Sequence, residues 1–229
     1  MDDDPRSRAA RTWFGYGKWD APYWFVGMEP GGTDHPALYT SWEACGGGPL
    51  IDAKRHEEEW NARVPAALRT HYFADKPKIQ KSTWQPLIHI LLGFTGSNED
   101  AHLYQRDKWG RIKGETALIE LSVPAFANIS VKGDRGQYEL ERIDIIRKHL
   151  EKDESIPTLA VFYGKSYQAQ YEEIAGGPFD KDGFRWNGSI LCALTTHPSR
   201  PTRTYEYWTE YGKRLRQNVE ALRDDEKTK

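Results

Sequence analysis

Apolar residues along the chain gather in short runs, separated by stretches in which they recur at helical spacing. Tyr23–Val26, Thr158–Tyr163 and Ile190–Leu194 are continuous apolar runs of strand length, each closing in glycine or polar turn residues. A further run, Leu118–Leu121, leads into V-P-A-F-A-N-I-S-V and predicts a core element that ends with Asn128 near its tip. Between these runs the spacing predicts helices. Ile51–Leu68 has acids near its front and Trp60, Val64, Ala67 and Leu68 in register. Thr83–Phe94 opens on a capping residue, carries Trp84, Leu87, Ile88, Leu91 and Leu92 on one side, and ends at Gly93. Glu139–Leu150 aligns Leu140, Ile143, Ile146 and Leu150, Tyr167–Ile174 is expected to be helical, and Thr209–Leu222 closes the chain.

Strands alternating with helices predict an α/β fold: a three-layer α/β/α sandwich with a central, mainly parallel four-stranded sheet. Residues 1–12 lack apolar periodicity and read as a flexible lead-in, 13–222 as one domain, and 223–229 as a charged tail. Trp13–Trp19 reads as an irregular aromatic segment packed on the domain. The segment Thr33–Pro49 ends in C-G-G-G-P and reads as an active-site loop, Lys76–Ser82 as a basic, proline-broken link, Leu103–Gly114 as a surface excursion or hairpin, and Phe179–Asn187 as a loop or short hairpin.

At 229 residues the chain suits a single well-buried domain, and 12 Tyr, 9 Trp and 8 Phe against 2 Met point to a rigid aromatic interior and an aromatic-lined site. No apolar run approaches the roughly 18 residues that span a bilayer, and M-D-D-D-P-R lacks the core of a secretory signal, so a soluble, cytoplasmic protein with no membrane partner is expected. Cys45 and Cys192 are too few for a disulfide framework or a thiolate cluster, and the seven histidines show no metal-ligand spacing, so no metal is implied. The net charge of −2 argues against strong overall attraction to nucleic acid. Basic residues nevertheless cluster in Arg6–Lys18, Arg63–Lys81, Arg106–Lys113 and Arg200–Arg216, either as one positive face of the folded chain or as ordinary solvated charge.

Two of the runs end alike. The first stops at Gly27-Met28-Glu29-Pro30-Gly31-Gly32, a carboxylate on a turn stiffened by glycine and proline; the last stops at His197-Pro198-Ser199. A parallel sheet keeps its chemistry at the carboxyl ends of its strands, so Glu29 and His197 are the candidate catalytic pair on one edge. Conformational turn-forming is the alternative for Glu29, and a satisfied structural histidine for His197.

Four strand ends in this order resemble the uracil-DNA glycosylase superfamily. G-M-E-P-G at Gly27–Gly31 is similar to its first motif, closest to the G-M-N-P-G form of the single-strand-selective branch, and H-P-S at His197–Ser199 matches its second. F-A-N-I-S-V resembles the strand whose asparagine reads the base, and V-F-Y-G-K-S-Y-Q-A-Q the strand-to-helix turn that often reads L-W-G-x-x-A-Q. The resemblance spans most of Tyr23–Thr204.

It implies hydrolysis of an N-glycosidic bond in DNA without a cofactor. Positive charge then builds on the sugar and negative charge on the departing base, which calls for an anion at one and a hydrogen-bond donor at the other. Glu29 would steady the sugar and position water, neutral His197 would donate to the base carbonyl, and Asn128 would read the base edge. Met28, Gly31 and Gly32 would shape the pocket, and Trp42 is the candidate to stack on the base, with a core position as its alternative. Lys81, Ser82, Lys165, Ser166, Ser199 and Arg200 would cradle phosphates, while Arg200, Arg203 and Tyr205 are candidates to fill the stack vacated by a flipped nucleotide.

Two departures from the superfamily matter. Glutamate stands where relatives carry aspartate or asparagine, and its extra methylene moves the carboxylate by about 1.5 Å; the iron-sulfur branch places its glutamate at the position of Met28. Gly31, followed by Gly32, replaces the tyrosine that screens out 5-substituted pyrimidines in the uracil-strict branch, which opens room at C5 for a bulky modified pyrimidine such as the glucosylated hydroxymethylcytosine of phage DNA. Excision of uracil or another deaminated base, and a non-catalytic nucleic-acid-binding member of the fold, are the alternative readings.

Overall fold

A computed structural model describes residues 4–28, 34–75, 83–123, 138–152, 157–199 and 203–227, the side chains through residue 221. In chain order its elements are α1 (Pro5–Thr12), β1 (Gly15–Tyr16), β2 (Tyr23–Gly27), α2 (Pro36–Ala44), β3 (Leu50–Ile51), α3 (Ala53–Arg63), α4 (Trp84–Thr95), α5 (Ala101–Asp107), β4 (Thr116–Glu120), α6 (Glu139–Leu150), β5 (Leu159–Tyr163), α7 (Gln168–Ile174), β6 (Phe184–Asn187), β7 (Ile190–Thr195) and α8 (Tyr205–Lys227).

The strands form one sheet in the order β3-β1-β4-β2-β5-β7-β6. Its centre, β4-β2-β5-β7, is parallel throughout; β2, β5 and β7 are expected strands, whereas β4 covers the Leu118–Leu121 lead and ends at Glu120, before the V-P-A-F-A-N-I-S-V segment expected to form the core element. The sheet is wider than the four expected strands, at seven. β1 and β3 are two-residue strands with no periodicity to read, and β6 joins antiparallel to β7 as the return arm of a hairpin. Side chains alternate across the sheet at period two. β2 illustrates this: Trp24 and Val26 pack with α6 and α7 on one face, and Phe25 packs with α4, α5 and α8 on the other. Both faces are therefore covered, which is why the central runs are apolar without alternation.

Several segments differ from expectation. The lead-in is helical: Asp4 caps α1 by accepting from Ser7 N, Pro5 occupies its first turn, and Ala9 and Ala10 are buried. The segment expected as a glycine-rich loop contains α2, because His35 and Pro36 start a helix that Gly46 and Gly47 only terminate. Leu103–Gly114 is not a hairpin: Leu103–Asp107 belong to α5, which Asp100 caps, and Lys108–Gly114 follow as turns. α6 forms as expected, but Leu140 is 73% exposed, so its buried stripe is Ile143, Ile146 and Leu150.

Gly93 lies inside α4, which ends at Gly96 in the left-handed region (φ 72°). Its role is close approach: a Cβ on Gly93 would stand 3.0 Å from the Thr209 carbonyl carbon, and one on Gly212 would stand 2.8 Å from Phe94 N. α4 and α8 thus cross backbone to backbone at paired glycines. Arg142, buried on α6, ties the remaining parts together: Nε donates to Leu121 O (2.8 Å), Nη1 to Ala10 O (3.1 Å), and Nη2 to Trp13 O (2.8 Å) and Glu120 O (2.7 Å). Burial lowers its pKa and the nearby Glu120 opposes that, while four carbonyl acceptors suit a guanidinium that stays charged.

Candidate active site

In the order β4-β2-β5-β7, the chain runs from β2 out to β4 on one side and from β5 out to β7 on the other. The sheet therefore has its topological switch between β2 and β5, and the crevice beyond the carboxyl ends of those two strands is where an open parallel sheet accommodates a ligand. Gly27 and Met28 end β2 at this edge, Tyr163 and Gly164 end β5, Glu120 ends β4, and Thr195 leads from β7 to His197.

The edge is held in register past the last strand residue. Leu121 N donates to Gly27 O (3.0 Å) and Ser122 N to Met28 O (2.6 Å), so the backbone is fixed up to the peptide that precedes Glu29. The Met28 side chain is buried in the core on the α6/α7 face. On the opposite face, Gly27 leaves room for two polar side chains. The Tyr163 hydroxyl donates to Glu120 Oε1 (3.1 Å), and a Cβ on Gly27 would stand 2.7 Å from Glu120 Oε2 and closer still to the phenol. Burial and then the Glu120 charge push the Tyr163 pKa well up, so the phenol keeps its proton and acts as donor. Tyr171 Oη fixes the same strand end by donating to Tyr163 O (2.9 Å).

His197 stands beside this pair, its ring edge-on to Tyr163 with centroids 5.6 Å apart. Ser199 N donates to His197 Nδ1 (3.2 Å), and Ser199 Oγ lies 2.6 Å from the same atom. A backbone N–H can only donate, so Nδ1 is an acceptor, and in the neutral ring the proton sits on Nε2. The H-P-S turn therefore delivers an imidazole with a fixed donor. Gly164, at φ 104°, lets β5 turn away beneath it: its N–H donates to Thr195 O (3.0 Å), and a Cβ there would reach His197 Cδ2 at 3.8 Å.

Other expected site residues fall variously. Lys165 and Ser166 are exposed on the single 3-10 turn directly after Gly164, at the same edge. Ser199 serves His197 as well as facing solvent. Arg203 lies over the Tyr207 ring at 3.9 Å, and Tyr205, 37% exposed, stacks on His89 at 4.6 Å. Glu29, Gly31, Gly32, Lys81, Ser82, Asn128 and Arg200 lie outside the described residues. Trp42 is corrected: at 1% exposure it is a core side chain on α2, stacked on Trp13, with Nε1 donating to Gly48 O at 2.9 Å. Once that segment folds as a helix, its apolar face turns inward and takes the tryptophan with it. Many of the clustered cations are also paired, as in Arg8–Glu43, Lys108–Glu99 and Arg111–Asp52, which weakens the expectation of one free positive face.

Glu120 and Tyr163 are additions that the sequence did not single out. Glu120 is flanked by Ile119 and Leu121 and reads as part of an apolar run; the signal was the period of two, which turns it to the face opposite both neighbours. Two surface clefts lie elsewhere: one of about 510 Å³ beside Cys45, Asp52, Arg55 and Arg111, and one of about 420 Å³ beside Phe179, Arg185 and Trp186. Neither is lined by residues at the carboxyl ends of β2, β4, β5 or β7, and among the described residues it is the convergence of polar groups that marks the site. Among the described residues no cluster of His, Cys, Asp or Glu is arranged to hold a metal ion, and no helix is long and apolar enough to cross a membrane. No protein-family model matches the chain, nor does any curated protein.

Proposed function

We propose that this protein is a monofunctional DNA glycosylase that hydrolyses the N-glycosidic bond of a flipped, modified pyrimidine and leaves an abasic site. The observation that supports it best is His197: a backbone amide fixes its tautomer, and it stands at the sheet edge where β2 ends, two residues before Glu29 in sequence. In this reading water attacks C1′ as the C1′–N1 bond breaks, and the bonding electrons leave with the base. The Glu29 carboxylate offsets the positive charge that develops on the sugar and orients the water. His197 Nε2–H donates to the base carbonyl, which carries part of the departing negative charge. The carboxylate and the donor act at opposite ends of the breaking bond.

DNA is the expected partner. Lys165 and Ser166, exposed where β5 turns, suit contacts to the phosphates flanking an extruded nucleotide. The absence of a bulky residue at Gly31 and Gly32 favours a 5-substituted cytosine, and excision of such a base from invading viral DNA, in the cytoplasm, is the setting this reading implies.

The test is mass spectrometry of bases released by the purified protein from several natural DNAs, including heavily modified viral genomes, alongside oligonucleotides that each carry one uracil, hypoxanthine, hydroxymethylated or glucosylated base. Release of a free modified cytosine, lost in Glu29→Ala while DNA binding persists, is the expected result. Uracil as the sole product would replace the substrate, and intact DNA in every case would remove the enzymatic reading.

A further inference from the structure

Tyr205 opens α8 with one face of its ring covered. That face lies on His89 of α4, with ring centroids 4.6 Å apart and planes 14° from parallel. His89 is itself held: the Thr209 hydroxyl donates to Tyr205 O (3.1 Å), which leaves its oxygen to accept from His89 Nδ1–H (3.2 Å). Burial and then the neighbouring His102 lower the His89 pKa, which keeps the imidazole neutral against the phenol. The two helices cross backbone to backbone at Gly93 and Gly212, so the pair is carried on a rigid support. Tyr205 is nevertheless exposed, and with one face on His89 that exposure belongs to the opposite face and the edge. Ser199 and Tyr205 are six residues apart, at most about 20 Å of chain, so the open face lies within a few nucleotides of His197. Beside it Arg203 lies over the Tyr207 ring, exposed and without an ion pair among the described residues, while Glu206 in the same turn offsets part of its charge.

We propose that Tyr205, backed by His89, is a stacking platform for one unpaired base of single-stranded DNA beside the target nucleotide, an inference that rests on DNA being the substrate in the glycosylase reading. A side chain that fills a gap in a duplex is stacked on both faces, because a base pair lies above and below it. Tyr205 offers one face. Entering a duplex would require the ring to leave His89, whereas an unstacked base can lie on the open face as it stands. Stacking on an aromatic ring tolerates any sequence, since every base has a π-face, so the platform selects strand state and not the identity of the target. Arg203 is the neighbouring cation for the backbone, and Tyr207 positions its guanidinium.

The test uses the full chain carrying Glu29→Gln, so that the DNA stays intact. Fluorescence anisotropy measures its affinity for one oligonucleotide containing 5-hydroxymethylcytosine, single-stranded or annealed to its complement. A second set of single strands carries 2-aminopurine, whose fluorescence falls when it stacks, at each of the positions flanking the target. Expected are a preference of about tenfold or more for the single strand and quenching at one flanking position. Tyr205→Ala should lose the quenching and about tenfold to a hundredfold in single-strand affinity, with the slope of log affinity against log salt unchanged. Tyr205→Phe should keep the affinity to within about threefold, and Arg203→Ala should flatten the salt slope by about 0.7. Equal or tighter binding to the duplex, quenching at no position, or a loss in Tyr205→Phe that matches Tyr205→Ala overturns the proposal. Quenching without base release from any DNA when Glu29 is intact leaves the platform and removes the glycosylase reading; base release with no quenching does the reverse. Strand preference and quenching are read with Tyr205 unchanged, so they decide the matter even where a variant folds poorly.

Discussion

Gly27→Ala tests the strand-end cluster without touching any residue assigned to chemistry. The added methyl would stand 2.7 Å from Glu120 Oε2 and nearer still to the Tyr163 phenol, where a carbon needs roughly 3.5 Å. Tyr163 is 5% exposed and its strand is locked between β2 and β7, so the ring has no open direction in which to swing. Overpacking of this kind costs about 1–3 kcal/mol, and losing a hydrogen bond to a carboxylate costs about 1.5–3 kcal/mol more. The expected sum is about 4 kcal/mol, or a fall in Tm of about 10 °C for a domain of this size. Urea unfolding of the wild type, Gly27→Ala, Tyr163→Leu and the double variant measures it. Leucine removes both the hydroxyl and the ring carbon that the methyl meets, so the double variant should be more stable than additivity predicts by about 2 kcal/mol. A Gly27→Ala protein within about 0.5 kcal/mol of wild type, or strictly additive variants, would refute the packing described here.

His56 gives a prediction in pH. It is buried between Tyr16 Oη (2.9 Å from Nδ1) and Ser41 Oγ (2.8 Å from Nε2), and burial pushes its pKa down to about 4 from 6.5. The unfolded chain therefore binds this proton first as pH falls. Stability is full above about pH 6.5 and declines by about 3 kcal/mol toward pH 4, a slope that His56→Gln should flatten in denaturant titrations at successive pH values. For Ser199→Ala, which removes the hydroxyl beside His197 Nδ1 but keeps the backbone N–H, base release should fall about tenfold in kcat with KM unchanged, and Ser199→Thr should restore it. Gly212→Ala forces a methyl to 2.8 Å from Phe94 N, a backbone atom that cannot rotate away, and calorimetry should show a loss of at least about 1–3 kcal/mol.

Short continuous apolar runs that close in turn residues suit strands buried on both faces, and that local pattern was enough to read β2, β5 and β7 and the layered α/β class from the sequence. The turn that ends β7 was legible for a similar reason: proline and polar residues after an apolar run leave few other conformations. Trp42 and Gly93 went the other way, because a tryptophan or glycine has the same local signature in a core as in a site or at a helix end. Only the packing of α2 on Trp13, and of α4 across α8, decides between them. Strand order is likewise a long-range property, and it alone brings Glu120, Tyr163 and His197, separated widely in sequence, to one edge. The sequence determined which residues could carry charge at that edge; the parallel register of β4 on β2 and of β2 on β5 decided which of them meet, since a shift of a single residue would have turned each to the opposite face.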